Sequence, residues 1–430
     1  MADLTHRSTS FALVDCNNFY VSCERLFQPA LENHPVIVLS NNDGCAIARS
    51  NEAKQLGIAM GAPFHKIERL IEAHDVKVFS SNFALYGDLS ARVMSTLQSM
   101  APKVEIYSID EAFLDLSGMS AAMRAELCQA LRQKIKRWTG IPVSIGIGPT
   151  KTLAKVANYH AKRAPRTHGV LDITRHTWRE RALKKLQVGD VWGVGRRWAE
   201  KLQEQGIHTA WQLSRQPPPL VRKRFNVVLE RTVRELDGQI AISMEEQPPA
   251  RQSIATTRTF GEKIHSLAPM REAVSTFTAR AAEKLRRHQL LAGALQIFIT
   301  TNRFSERDQQ YKNSITLTLP ESSDDSFLLI ETALEGLSRI YRPGFRYQKA
   351  GVILLALQPA RPFQRNLFAP PVKHPQAQEL MQVMDRLNQE MGRGTVRFGA
   401  EGLSQTGWKM RQLRKSPAYT TRWEELAQIG

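Results

Sequence analysis

Three carboxylates carry the chemistry this sequence can do. Asp15 closes the apolar run Phe11–Val14, and Asp110–Glu111 form an acidic pair between the apolar runs Val104–Ile109 and Ala112–Leu116. Either feature alone reads as an exposed acid at a strand end or turn. Side by side they read differently, because neighbouring strands would bring all three to one spot. Carboxylates ~4 Å apart repel by roughly 4 kcal/mol per pair at an effective dielectric near 20, so such a cluster needs cations to stay ionised. An all-oxygen, hard ligand set favours Mg²⁺. Two such ions about 3.5–4 Å apart can activate an attacking oxygen and stabilise a leaving oxygen in a phosphoryl displacement.

The elements that must position these acids follow from apolar spacing. Phe11–Val14 and Val36–Leu39 predict strands, the turn-rich Ser40–Gly44 follows, and Cys45–Leu56 predicts a helix. Residues 83–100 have helical spacing. Val104–Ile109 and Ala112–Leu116 predict a hairpin with Asp110 and Glu111 at its bend, followed by a helix over 120–138 and a buried strand at Pro142–Ile147. Strand, helix, hairpin, helix, strand is the ferredoxin-like βαββαβ order of an α+β fold, with helices on one face of an antiparallel sheet. Residues 21–79 interrupt it as a small lobe. From Arg166 to Gly238 the pattern is helical throughout, and a linker runs to Arg251. A second βαββαβ order follows: strand Ile254–Phe260, helix Pro269–Gln289, strands Leu295–Asn302 and Asn313–Leu319, a helix at 325–340 and strand Lys349–Leu357. Pro359–Pro375 is a Pro-rich connector, and the tail beyond it is mixed and basic.

The chain has 430 residues, enough for about three domains at ~100–200 residues each. Its composition, 42% hydrophobic and 23% charged, is that of a globular protein and excludes a disordered or fibrous one. The opening MADLTHRSTS has no apolar core behind it, and no apolar run reaches the ~18–20 residues of a membrane helix. The expected location is the cytoplasm, with no membrane partner. Cys16, Cys23, Cys45 and Cys128 form no CxxC pair, which points to reduced thiols. Residues 1–165 hold 18 basic and 15 acidic residues, whereas the remainder holds 41 and 26. A nearly neutral chemical centre joined to a basic polyanion grip is the implied plan.

Longer motifs sharpen this. DCNNFYVSCE (Asp15–Glu24) and VEIYSIDEAFLDL (Val104–Leu116) resemble the two signature motifs of Y-family translesion DNA polymerases. SNNDGCAIARSNEAKQLG (Ser40–Gly57), FNVVLERTVREL (Phe225–Leu236) and the long tail extend the likeness over nearly the whole chain, to the branch acting in the SOS DNA-damage response. The resemblance implies a right-hand architecture: palm at 1–20 and 80–165, fingers at 21–79, thumb at 166–240, linker at 241–252, little finger at 253–358 and a C-terminal tail at 359–430. It implies error-prone, template-directed deoxynucleotidyl transfer to a primer 3′-hydroxyl. Asp15 and Asp110 would bridge two Mg²⁺ ions, Glu111 would hold the one nearer the primer, and the Cys16 carbonyl would join the nucleotide-side ion. Tyr20, beside Phe19, matches the steric gate, an aromatic ring that leaves no room for a ribose 2′-hydroxyl. Lys54 and Lys162 fall where the family contacts the deoxynucleoside triphosphate, although other members commonly carry Tyr and Arg where this sequence has Asn51 and Lys54. The small residues Gly44, Ala46 and Ala48 suggest a lightly built roof over the nascent pair.

The basic part offers a grip on primer-template DNA. VWGVGRRWAEKLQEQGI (Val191–Ile207) has the form of a helix-hairpin-helix. Gly193 and Gly195 permit the tight turn, Arg196 and Arg197 add charge, and the helix N-terminus can receive a phosphate. Common versions have Pro where Trp192 stands. In the second βαββαβ unit, Arg258, Arg286 and Arg287 resemble duplex contacts of a little finger. Gln364, Leu367 and Phe368 resemble a β sliding-clamp peptide in which Arg365 replaces the usual Leu. The family further implies a processed UmuD-type dimer and RecA as partners of the tail. Two other classes compete: a nucleotidyl cyclase could share a palm-like domain, and a non-catalytic DNA-binding scaffold would need only the basic part. The cyclase has no need of the helix-hairpin-helix, and the scaffold has no use for three converging acids.

Overall fold

The computed structural model describes residues 9–245, 250–360, 376–402, 408 and 410–426. The chain divides into two compact units, one of residues 1–40, 44–248 and 414–430, the other of residues 41–43 and 249–413. Among the described residues no helix is long and apolar enough to cross a membrane.

In the first unit, Phe11–Cys16 is apolar but for Asp15 and shows no alternation, as suits a strand covered on both faces. It forms β1. Helix α1 (Phe19–Phe27) follows, then β2 (Val36–Leu39), β3 (Ala46–Arg49), α2 (Asn51–Gln55), α3 (Phe64–Ala73) and β4 (Lys77–Ser80). Next come α4 (Phe83–Gln98), β5 (Val104–Ile106), β6 (Glu111–Asp115), α5 (Ala121–Thr139), β7 (Val143–Gly148), α6 (Lys151–Ala161) and β8 (Val170–Asp172). Helices α7 (His176–Lys185), α8 (Arg196–Glu204), α9 (Ala210–Ser214), α10 (Pro218–Arg224) and α11 (Val227–Asp237) follow. The main sheet has the order β5-β6-β1-β7-β8, with β1 antiparallel to both neighbours and β8 parallel to β7. Its first four strands have the ferredoxin-like arrangement.

Ala12, Val14 and Cys16 pack with Leu85, Leu89 and Val93 of α4 and Leu131 of α5 on one face of this sheet. Phe11, Leu13 and Phe113 face the other way, against Ala154 of α6. Helices therefore cover both faces, where the spacing predicted one. Gly146 and Gly148 explain how α6 gets so close: a Cβ on Gly146 would lie 2.0 Å from Asn158 N and 2.4 Å from Ala154 O, and one on Gly148 would lie 2.7 Å from the Leu153 carbonyl carbon.

Two further expectations need correction. Residues 45–56 are not one helix. Ala46 and Ala48 are buried while Ile47 and Arg49 are half-buried, a period of two that makes β3, and the Ser50 side chain accepts the Ala53 N–H to start α2 afresh. Nor is 166–238 wholly helical, because Val170–Asp172 adds β8 to the sheet edge. Strands β2, β3 and β4 form their own three-stranded sheet over a core of Ile37, Leu39, Ala53 and Ile58.

The second unit contains β9 (Ile254–Ile264), α12 (Leu267–Arg287), β10 (Leu290–Thr301), β11 (Lys312–Ser323), α13 (Ser326–Ile340), β12 (Tyr347–Pro359) and α14 (Ala377–Glu390). Its antiparallel sheet has the order β11-β10-β12-β9. The βαββαβ sequence of elements recurs, but here the first strand lies at an edge.

Gly146→Ala is expected to destabilise the first unit by more than the ~1–3 kcal/mol of ordinary overpacking, because backbone atoms of α6 cannot rotate away from the new methyl. A urea unfolding midpoint no lower than that of the wild type would contradict this packing.

Candidate active site

Asp15, the fifth residue of β1, stands directly opposite Glu111, the first residue of β6. Direct cross-strand partners have Cβ atoms about 4.5–5.5 Å apart, so register alone brings two like charges together. Asp110 precedes Glu111, and its carbonyl accepts the Cys16 N–H at 2.9 Å, tying the turn to the end of β1. Only Asp110 lies in the bend, since Glu111 already belongs to β6. Ser108 shapes that bend: its hydroxyl donates to Asp110 Oδ1 at 2.6 Å and accepts the N–H groups of Asp110 and Glu111 at 3.2 and 3.0 Å.

Two lysines of the α6 region meet these acids. Lys162, the C-cap of α6, places Nζ 2.5 Å from Asp15 Oδ1. Lys155 Nζ donates to both Glu111 oxygens at 2.9 Å. Burial pushes the Asp15 carboxyl up to about 7, Lys162 opposes that, and the Glu111 and Asp110 charges reinforce it. Among the described residues no three His, Cys, Asp or Glu side chains gather as a ready ligand set, and the lysines hold the two strand carboxylates in ion pairs. The donor set is nevertheless all hard oxygen, in a partly buried place where negative charge is costly, which fits Mg²⁺.

Lys155 escaped the motif reading. Its signal was spacing: Lys151, Lys155 and Lys162 lie at i, i+4 and i+11, one face of a helix. Lys155 Nζ also lies 4.7 Å from the centre of the Tyr107 ring and 5.2 Å from that of Trp192. Trp192 meets Tyr107 edge-on at 5.6 Å, and its Nε1 donates to the Tyr107 hydroxyl at 3.3 Å. The departure at Trp192 thus packs the glycine hairpin beside the acids.

Phe19 is 4% exposed and belongs to the core. Tyr20 is half-buried, stacked on Tyr86 at 4.4 Å and edge-on to Phe83 at 6.0 Å. Burial and the Asp110 charge raise its hydroxyl pKa. Lys54, on α2, donates to Asn18 Oδ1 at 2.5 Å, and Asn18 in turn donates to Asn51 Oδ1 at 3.1 Å. Burial lowers the Lys54 pKa, and the nearby charges of Arg49, Lys162 and Arg163 lower it further. Cations that repel one another beside a carboxylate cluster suit a polyphosphate.

With this geometry in place, comparison with known proteins decides the family. Residues 14–159 match the impB/mucB/samB family and residues 251–367 match that family's C-terminal domain. Protein ImpB of Salmonella typhimurium is 45% identical over 98% of this chain and 100% of its own length. Protein UmuC of the same species is 46% identical over 97% of this chain and 100% of its own length. The chain belongs to the impB/mucB/samB family. DNA polymerase IV of Moorella thermoacetica is 30% identical over 84% of the chain and 88% of its own length. A solved Y-family DNA polymerase chimera shares the fold with a TM-score of 0.65 at 20% identity, covering 81% of this chain and 99% of that one. This impB/mucB/samB member is a DNA-directed DNA polymerase of the Y-family, and its line is that of translesion DNA synthesis.

The remaining expected contacts are placed as follows in this family member. Gly193 has φ +87, and Gly195 is the N-cap of α8 with open space around it. Arg196 and Arg197 are exposed, Arg196 pairing with Glu200 at 3.2 Å. Arg287 is exposed and pairs with Glu283, while Arg258 is half-buried near Arg280 and Arg393, whose charges add to burial in lowering its pKa. Arg286 needs correction as a DNA contact. Its guanidinium is bidentate to Asp385 of α14 at 2.7 and 2.8 Å, donates to Asp324 O and Ser326 Oγ, and is 12% exposed. It fastens α12 to α14 and to the start of α13. Gln364, Leu367 and Phe368 lie outside the described residues.

Lys162→Met removes the cation that opposes burial of Asp15, so the carboxyl midpoint is expected to rise above about 7 in the metal-free protein. Glu111→Gln removes a repelling charge and is expected to lower it. Carboxyl-carbon NMR titration reads both, and midpoints that move the other way would overturn this electrostatic account.

Proposed function

We propose that the chain extends a primer on damaged template by deoxynucleotidyl transfer during the SOS response, with Asp15, Asp110 and Glu111 at the reacting atoms. The observation that carries this reading is the β1–β6 register, which sets Asp15 against Glu111 with Asp110 adjoining. The parts are the palm (1–20 and 80–165), fingers (21–79), thumb (166–240), little finger (253–358) and tail (359–430). Asp15 and Asp110 would hold two Mg²⁺ ions, with Glu111 on the primer-side ion and the Cys16 carbonyl on the other. Bound there, the metals supply Lewis-acid stabilisation of the charge that develops on the phosphoryl group.

The chain's own residues do the rest. Lys162 and Lys54 bind the triphosphate as point charges. Tyr20 excludes a 2′-hydroxyl by occupying its volume. The α8 N-terminus at Gly195, with Gly193, Arg196 and Arg197, takes a DNA phosphate, and Arg258 and Arg287 add charge along the duplex. Such contacts carry no base information, which suits an enzyme that copies damaged templates. The proposed setting is the cytoplasm, at the nucleoid. The proposed partners are a processed UmuD-type dimer, RecA and, through Gln364, Leu367 and Phe368, the β sliding clamp.

Primer extension on a lesion-bearing template tests the assignment. Asp110→Asn is expected to reduce extension by at least ~100-fold while primer-template binding, read by gel shift, persists. Extension that survives the substitution would refute it, and cyclic nucleotide release without template would favour a cyclase. Tyr20→Ala is expected to raise ribonucleotide insertion relative to deoxynucleotide insertion by roughly 10–200-fold. Unchanged sugar selectivity would remove the gate assignment.

A further inference from the structure

Residues 378–429 match a domain of unknown function. Within the first unit, its residues 414–419 pack as a strap. The Ser80 N–H donates to the Arg414 carbonyl at 2.9 Å, and the Arg414 N–H donates to Ser80 Oγ at 3.0 Å. Asn82, the fully buried N-cap of α4, donates through Nδ2 to Ser416 O at 3.2 Å, Ser416 Oγ at 3.0 Å and Pro417 O at 3.2 Å. Tyr419 stacks on Phe27 of α1 at 4.5 Å and accepts from Gln28 Nε2 at 3.1 Å. The strap is thus fastened to the N-terminus of α4 and the C-terminus of α1.

Those two helices carry the rings around Tyr20. Phe83 and Tyr86, one turn apart at the start of α4, flank it edge-on and face to face. Tyr86 is fully buried, and its hydroxyl donates to Glu24 Oε1 at 2.6 Å. Glu24 lies one turn after Tyr20 in α1 and is itself fully buried. Burial pushes its carboxyl pKa up, opposed by the hydroxyls of Tyr86 and Ser416. A buried carboxyl amid apolar side chains is costly unless hydrogen-bonded, so Glu24 holds Tyr86 to a single position.

We propose that Tyr86, held by Glu24, is a positioning residue for Tyr20, and that residues 414–419 brace it through Asn82. The domain of unknown function then contributes to sugar selection. This rests on reading Tyr20 as the sugar gate. A gate works only if the ring resists displacement. A half-buried ring could swing aside to admit a 2′-hydroxyl, whereas one stacked on a fully buried partner cannot without breaking that stack.

The test is single-nucleotide insertion by the full-length chain, comparing kcat/KM for a deoxynucleotide and its ribonucleotide in wild type, Tyr20→Ala, Tyr86→Leu, Tyr86→Phe and Asn82→Ala. Tyr86→Leu removes the stack and is expected to lower the discrimination ratio about tenfold, mainly by raising ribonucleotide kcat/KM. Asn82→Ala loosens the strap and is expected to lower the ratio about threefold, and Tyr86→Phe, which keeps the ring, to lower it less than Tyr86→Leu. A purely structural role would depress both substrates alike and leave the ratio unmoved. An unchanged ratio in Tyr86→Leu and Asn82→Ala, with a lowered ratio in Tyr20→Ala, overturns the inference alone. An unchanged ratio in Tyr20→Ala overturns the gate reading, and the inference with it. Should Tyr86→Leu fail to fold, Asn82→Ala and Tyr86→Phe decide.

Discussion

Two negative side chains face each other across β1 and β6, and the ladder leaves them no alternative. Leu13 pairs with Phe113 on the α6 face, while Val14 pairs with Ala112 against α4 and α5. A slip of one residue would turn each of these side chains to the wrong face. The core therefore fixes the register, and the register sets Asp15 against Glu111. Like charges so placed destabilise the sheet unless something neutralises them. Helix α6 and its C-cap do so in sequence: Lys151 pairs with Glu105, Lys155 with Glu111 and Lys162 with Asp15. Side-chain exposure of these lysines climbs from 2% through 15% to 31%. At its start the helix is bolted to the sheet. At its end the lysine is about a third exposed, and on the proposed reading it exchanges Asp15 for the triphosphate, so that one segment would serve stability at one end and chemistry at the other.

The acids were legible because strand and acid are contiguous in sequence: an apolar run that ends in a carboxylate shows both the element and its tip. The lysines were less so. Lys155 becomes informative only once α6 is known to lie on the Asp15 face, and that depends on Gly146 and Gly148 admitting the helix backbone. Arg286 failed the other way. It sits in a basic stretch, and nothing local shows that Asp385, 99 residues later, takes its guanidinium. Three-residue β8 was too short to carry a periodic signal. The two sheets share one order of elements but not one order of strands.

The aromatic shell around Tyr20 adds a long-range dependence of the same kind. DCNNFYVSCE contains both Tyr20 and Glu24, yet the hydroxyl that Glu24 holds, on Tyr86, is 62 residues away, and the strap residue bonded to Asn82 lies 334 residues beyond it. A motif points to a gate role for Tyr20 but cannot show how firmly the ring is held, which is a property of the packing.

On the proposed reading, stiffness and slackness are divided between the two parts of the incoming nucleotide. The sugar meets Tyr20, backed by Tyr86 and a buried hydrogen bond. The base pair meets a roof whose expected contacts are Gly44, Ala46 and Ala48, with both alanines buried in β3. Side chains this small cannot reach out to test the shape of a base pair, and a site discriminates only by contacts that the wrong ligand would break or clash with. Tolerance of a distorted template base and strict exclusion of a ribose are then compatible in one pocket. On that reading each is set by a different wall.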